Sequence, residues 1–104
     1  MEYLNYSAVY LYYLQLKMDV YLVYNDDKDL KKLGDANIKV SPFFHFVDDR
    51  TRRGRKDSWK IKGGFGAKLT PFAVIYEGEK PIKAFYSETE NDIVESLIKY
   101  LNGE

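Results

Sequence analysis

Phe72-Ala73-Val74-Ile75-Tyr76-Glu77-Gly78-Glu79-Lys80-Pro81-Ile82-Lys83-Ala84-Phe85-Tyr86 is the stretch on which the fold turns. Phe72–Tyr76 is an unbroken apolar run of β-favouring residues, the pattern of a strand buried on both faces. Glu77-Gly78-Glu79-Lys80 has the composition of a hairpin turn. Pro81 to Tyr86 alternates, with Ile82, Ala84 and Tyr86 in step, and reads as the return strand. Downstream, Ser87 and Glu90 have capping-box spacing. Ile93, Val94, Leu97, Ile98 and Leu101 then make one helical stripe, which Gly103 ends. The C-terminal half is thus β-hairpin, then helix.

Working towards the N-terminus, Gly63-Gly64-Phe65-Gly66 is a permissive turn. Arg50 to Gly64 is a charged linker, a basic loop, or a loosely helical stretch. Asn37 to Asp48 carries Ile38, Val40, Phe43, Phe44, Phe46 and Val47 and reads as a strand interrupted or edged by Pro42. Lys28 to Leu33 is a short helix, capped by Asp26 or Asp27 and closed by Gly34. Asp19 to Tyr24 is a buried strand. In residues 3 to 17, Tyr3, Tyr6, Tyr10, Tyr13 and Leu14 have helical spacing, although so much tyrosine also favours a strand. The expected order is a leading segment 1–18, then β-α-β, then β-β-α. No repeat or linker divides it, so residues 1–104 read as one α/β domain around a central mixed sheet.

Size and composition bound the chemistry. The chain has 104 residues and 12.2 kDa, enough for one small core. Cysteine is absent, which removes disulfides, thiolate nucleophiles and cysteine-ligated metals. A single histidine removes multi-histidine metal centres. The N-terminus lacks the basic region of a signal peptide. The most apolar stretch, Ala8 to Leu16, is far below the ~20 residues of a membrane span. The expected setting is cytoplasmic, with no membrane partner. The abundance of Tyr, Lys, Asp and Asn also suits a phage or low-GC bacterial gene.

The run Phe65-Gly66-Ala67-Lys68-Leu69-Thr70-Pro71 resembles the thioredoxin-like family, in which an aromatic-Gly pair precedes an X-Pro bond by a few residues. A strand, a short turn, a strand and a C-terminal helix then follow, as they do here from Phe72 to Leu101. The preceding β-α-β unit matches in order from Asp19. The resemblance implies a cis Pro71 and a groove in which the backbone of Thr70, beside Pro71, pairs with an extended peptide. Phe65, Phe72 and Tyr76 would neighbour that groove, although core packing is their plainer reading. The family's redox cysteines would fall at Asn25-Asp26-Asp27-Lys28, and no cysteine exists. Dithiol and peroxidatic chemistry are excluded, so the resemblance is to a non-redox member.

The remaining chemical candidates have plain alternatives. His45 could serve as a base near neutrality, but alternation sets it opposite Phe44 and Phe46, where a satisfied or solvent-facing ring is expected. Asp48-Asp49 suggest a hard cation, yet adjacent carboxylates on an extended chain point apart. Asp26, Asp27 and Asp29 need only a helix dipole to explain them. Gly63–Gly66 lacks P-loop spacing. No nucleophile–base arrangement is present. The expectation is a protein without catalysis, metal or cofactor.

Net charge is zero, from 16 basic and 16 acidic side chains, but it is unevenly spread. Between Arg50 and Lys68 stand Arg50, Arg52, Arg53, Arg55, Lys56, Lys60, Lys62 and Lys68 against Asp57 alone. Trp59, the only tryptophan, lies among them. Arginines clamp phosphates and an exposed indole stacks on bases, so Arg50–Lys68 fits nucleic acid. Arginine and tryptophan are equally the anchors of protein interfaces. A neutral domain is not the usual build of a nucleic-acid binder. The sequence therefore favours a protein contact, in an adaptor or a larger assembly, including self-assembly, with nucleic acid second. The tyrosine-rich start is a second candidate surface, because adjacent Tyr12 and Tyr13 cannot both face one core.

Overall fold

A computed structural model of the chain describes residues 18–36 and 44–102. Its centre is the pair of apolar runs singled out by the sequence. Strand β1 (Met18–Tyr24) and strand β3 (Phe72–Glu77) lie side by side and antiparallel, with Val20 opposite Ile75 and Leu22 opposite Ala73. Both are covered above and below. Val20, Leu22 and Val23 are buried, as is every residue from Phe72 to Ile75. That double burial is why these strands do not alternate polar and apolar. Strand β2 (Phe44–Asp48) pairs parallel to β1, and strand β4 (Lys80–Tyr86) antiparallel to β3, giving the order β2-β1-β3-β4.

Helices cover both faces. Helix α1 (Asp27–Asp35) and helix α3 (Ile93–Leu101) lie on one, where Leu33, Ile93, Val94, Leu97 and Leu101 meet Val20, Leu22, Phe44, Ala73 and Ile75. Helix α2 (Arg52–Gly63) lies on the other. There Ile61 packs on Val23, Phe72 and Val74 together with Phe65 and Ala67. The fold is α/β: a four-stranded mixed sheet between helices, ending in a β-hairpin and a C-terminal helix. The Thr70–Pro71 peptide bond is cis, as the resemblance implies. Among the described residues no helix is long and apolar enough to cross a membrane.

The ends of the elements differ in detail from expectation. Of the two readings of segment 50–64, the helical one holds and the loop does not: twelve of its residues form α2, because arginine and lysine are good helix formers and Gly54, Ser58 and Ile61 supply an inner face. Gly34 does not close α1; it sits in the last turn, and Ala36 is the cap. Asp26 starts that helix, accepting the Lys28 N–H at 2.9 Å. The cap of α3 is Asp92, which accepts the Glu95 N–H at 3.0 Å, rather than Ser87. Residues 87–89 instead form a turn closed on the Tyr86 carbonyl, and Glu90 accepts the Ser96 hydroxyl.

The hairpin turns at Gly78, whose φ of 63° favours glycine. A register shift beside it, between Ile75 and Tyr76, breaks the expected alternation of β4. Ile82 packs on the α3 side, while Ala84 and Tyr86 face the α2 side. Residues 3 to 17, of helical spacing but strand-favouring composition, the first part (37 to 43) of the strand expected over 37 to 48, and the stop at Gly103 lie outside the described residues.

Candidate functional site: the outer face of helix α2

Helix α2 begins immediately beyond β2. Thr51 caps it: the hydroxyl accepts the Gly54 N–H at 2.9 Å and donates to the Asp48 carbonyl at 3.0 Å. Gly54 is buried against the end of β2, and a Cβ there would stand 1.7 Å from the Asp48 carbonyl oxygen. Ser58, one turn on, is also fully buried, and its hydroxyl has no hydrogen-bond partner among the described residues. These small residues bring the helix close to the sheet.

The opposite face is uniformly basic. Arg52, Arg55, Lys56, Trp59 and Lys60 share one side of α2 by helical spacing, with Arg53 at its flank. All six are exposed, and Trp59 reaches 81%. Arg55, Lys56, Trp59 and Lys60 line a shallow, open hollow of about 430 Å³. None of the five cations has an ion-pair or hydrogen-bond partner among the described residues. The arrangement is unfavourable for the isolated helix. Arg52, Lys56 and Lys60 repel at four-residue steps. The first turn has no acid, so Arg52, Arg53 and Arg55 oppose the positive end of the helix dipole. An anionic surface docked here relieves both costs.

Two cations grouped with this face by the sequence belong elsewhere. Arg50 grips Asp48 with two hydrogen bonds, at 2.9 and 3.0 Å, and reaches Asp27 at 2.6 Å. The hydrogen bond from Arg50 holds the Asp48 carboxyl below its ordinary pKa, and the guanidinium is driven higher still. Arg50 thus ties α1 to the end of β2. Lys62 turns inward: its ammonium lies 2.9 Å from the Thr70 hydroxyl and 3.8 Å from Asp49, whose carboxylate accepts from Thr70 at 3.0 Å.

That network fixes the loop before β3. Thr70 and Pro71 are half-buried. The Thr70 backbone N–H and carbonyl make no hydrogen bond with described residues, and Leu69 beside it is 53% exposed. Phe72 is core, while Phe65 and Tyr76 are partly buried against it.

Asp48 and Asp49 are spent on Arg50, Thr70 and Lys62, and among the described residues no group of three acids or histidines is placed to hold a metal. The N–H groups of Gly64, Phe65, Gly66 and Ala67 are used on carbonyls of residues 60–63, so they form no phosphate cradle. His45 bonds Asp19 through Nε2 at 2.9 Å and stacks on Tyr21, with centroids 4.4 Å apart. This last cluster was not legible from the sequence, because the β1–β2 register that sets Tyr21 beside His45 joins distant segments.

No protein-family model matches the chain, and no curated protein matches it. One similar solved structure is described as a crystal structure of a designed protein, at 18% identity over 81% of this chain and 80% of that one. Its TM-score is 0.41, too loose a likeness to carry an argument.

Proposed function

We propose that this chain is a non-catalytic, thioredoxin-like interaction module of the cytoplasm, which docks an acidic partner protein through the outer face of α2. The order of elements from Met18 to Leu101 and the Thr70–Pro71 bond support the family reading. The observation that carries the docking reading is Trp59, 81% exposed among cations that have no partner among the described residues. Covering the exposed indole removes apolar surface from water, and tryptophan and arginine are the residues most enriched at the energetic centres of interfaces. Among the described residues this face carries a single exposed aromatic side chain, over a shallow hollow. Single-stranded nucleic acid is generally held in a groove with several stacking rings, so protein ranks first. The Thr70 backbone, which bonds no described residue, and the exposed Leu69 offer a second contact, for an extended peptide segment of the same partner.

The test places a photo-crosslinking phenylalanine analogue at position 53, on the flank of the face, and irradiates cells of the source. Discrete protein adducts that disappear with Trp59→Ala, or with Arg52→Glu and Lys56→Glu together, are expected. Absence of protein adducts, with salt-sensitive quenching of Trp59 by a single-stranded oligonucleotide, transfers the site to nucleic acid. Absence of both overturns the docking surface.

A further inference from the structure

We propose that the hollow at the hairpin end of the sheet, on the α2 side, binds a compact organic cation of the alkylammonium class. It encloses about 380 Å³ and is lined by Asp19, Tyr21, Ile61, Tyr76, Gly78 and Glu79. That volume lies at the lower end of the range for small-molecule sites. The walls are aromatic: the rings of Tyr21 and Tyr76 stand 5.5 Å apart and nearly perpendicular, at 81°. Ring faces carry the negative part of the quadrupole, and converging rings are the usual receptor for substituted ammonium groups. Formal negative charge comes from Asp19 and Glu79, and among the described residues no cation lines the hollow. These two carboxylates disfavour an anion, and an uncharged apolar guest gains nothing from them.

The walls are held in place before any ligand arrives. His45 stacks on Tyr21, nearly parallel at 15°, while its Nε2 holds Asp19 Oδ1 at 2.9 Å. Phe65 packs edge-on to Tyr76 with centroids 6.2 Å apart. Asp19 keeps a second carboxylate oxygen without a hydrogen bond among the described residues, and Glu79 has no partner there at all. Gly78 adds no side chain at the mouth. Two carboxylates are too few for a calcium-type site, which takes six or more oxygens, so the charge and the rings together select an organic cation.

The site stands apart from the basic face of α2, and its test is independent. The full chain is titrated with choline, with its neutral carbon isostere 3,3-dimethylbutanol, and with a peptide carrying one trimethyllysine. Binding is followed by the N-methyl resonances and the Tyr21 and Tyr76 ring protons. Saturable upfield shifts with choline or the peptide, and none with the isostere, are expected; the stronger of the two identifies a free amine or a protein side chain as the source. Glu79→Gln, at an exposed turn, should weaken binding by about threefold, and Tyr76→Leu by about tenfold. Arg52→Glu with Lys56→Glu should leave it unchanged, so the two sites fail separately. Equal shifts with the isostere, no saturable shift, or full binding by the Glu79 variant would overturn the proposal.

Discussion

Replacing Gly54 by alanine tests how α2 is seated. Elsewhere in a helix this change stabilises, by about 1 kcal/mol of propensity. Here the added methyl carbon would lie 1.7 Å from the Asp48 carbonyl oxygen and 2.5 Å from the Thr51 hydroxyl, where ordinary contact begins near 3.4 Å. The obstacle is backbone, so no side chain can rotate away. The first turn of α2 must lift from β2 by about 1.5 Å, which breaks the hydrogen bonds of Thr51 to Asp48 and Gly54. Overpacking of this kind costs about 1–3 kcal/mol, and a lost cap about 1 more. Set against the propensity gain, a net loss of about 2 kcal/mol is expected, or roughly 10 °C in Tm. Urea unfolding followed by far-ultraviolet circular dichroism measures it directly. Gly34→Ala is the control: it lies within α1, where a Cβ meets nothing within 4 Å. It should stabilise by about 0.5–1 kcal/mol. If the Gly54 variant is as stable as the parent, the close approach of α2 to β2 is wrong.

Asp92 both caps α3 and pairs with Lys32, and the hydrogen bond from Lys32 holds its carboxyl below the ordinary value. The folded pKa is depressed, so its contribution is complete above about pH 4 and is lost as the pH falls through the folded value. Asp92→Asn keeps a capping side chain but not the charge, and should flatten the acid limb of stability below about pH 4, read by circular dichroism at each pH. Asp92→Ala should cost about 1 kcal/mol at neutral pH in urea melts. Trp59→Ala and Arg55→Ala should each change stability by less than about 0.5 kcal/mol, because both side chains are exposed; a larger loss in thermal melts would make the outer face of α2 structural rather than a docking surface.

The C-terminal half was readable in the sequence because Phe72–Ile75 and the stripe Ile93, Val94, Leu97, Leu101 are each buried, as their patterns require. What escaped was long-range or local in ways that periodicity does not encode. The bulge at Ile82 depends on how β4 meets Tyr76, so a clean alternation looked sufficient. Helix α2 was hidden because its inner face is glycine and serine rather than leucine; closeness to the sheet substitutes for bulk. Of the basic residues, Arg52, Arg53, Arg55, Lys56 and Lys60 stand exposed as their charge suggests. Arg50 and Lys62 are engaged instead with Asp27, Asp48, Asp49 and Thr70, which reach them only in three dimensions.

The sheet order bears on the sequence of events during synthesis. Strand β1 is made early, yet one of its two neighbours, β3, pairs Glu77 with Met18 and Phe72 with Val23. While the chain is still on the ribosome, β1 can find β2 but must keep its other edge bare until residue 77 has emerged. The hairpin of β3 and β4, by contrast, is local. Nascent chains halted before residue 72 should therefore stay protease-sensitive and prone to edge-to-edge association, because the middle of the sheet is completed by its distant half.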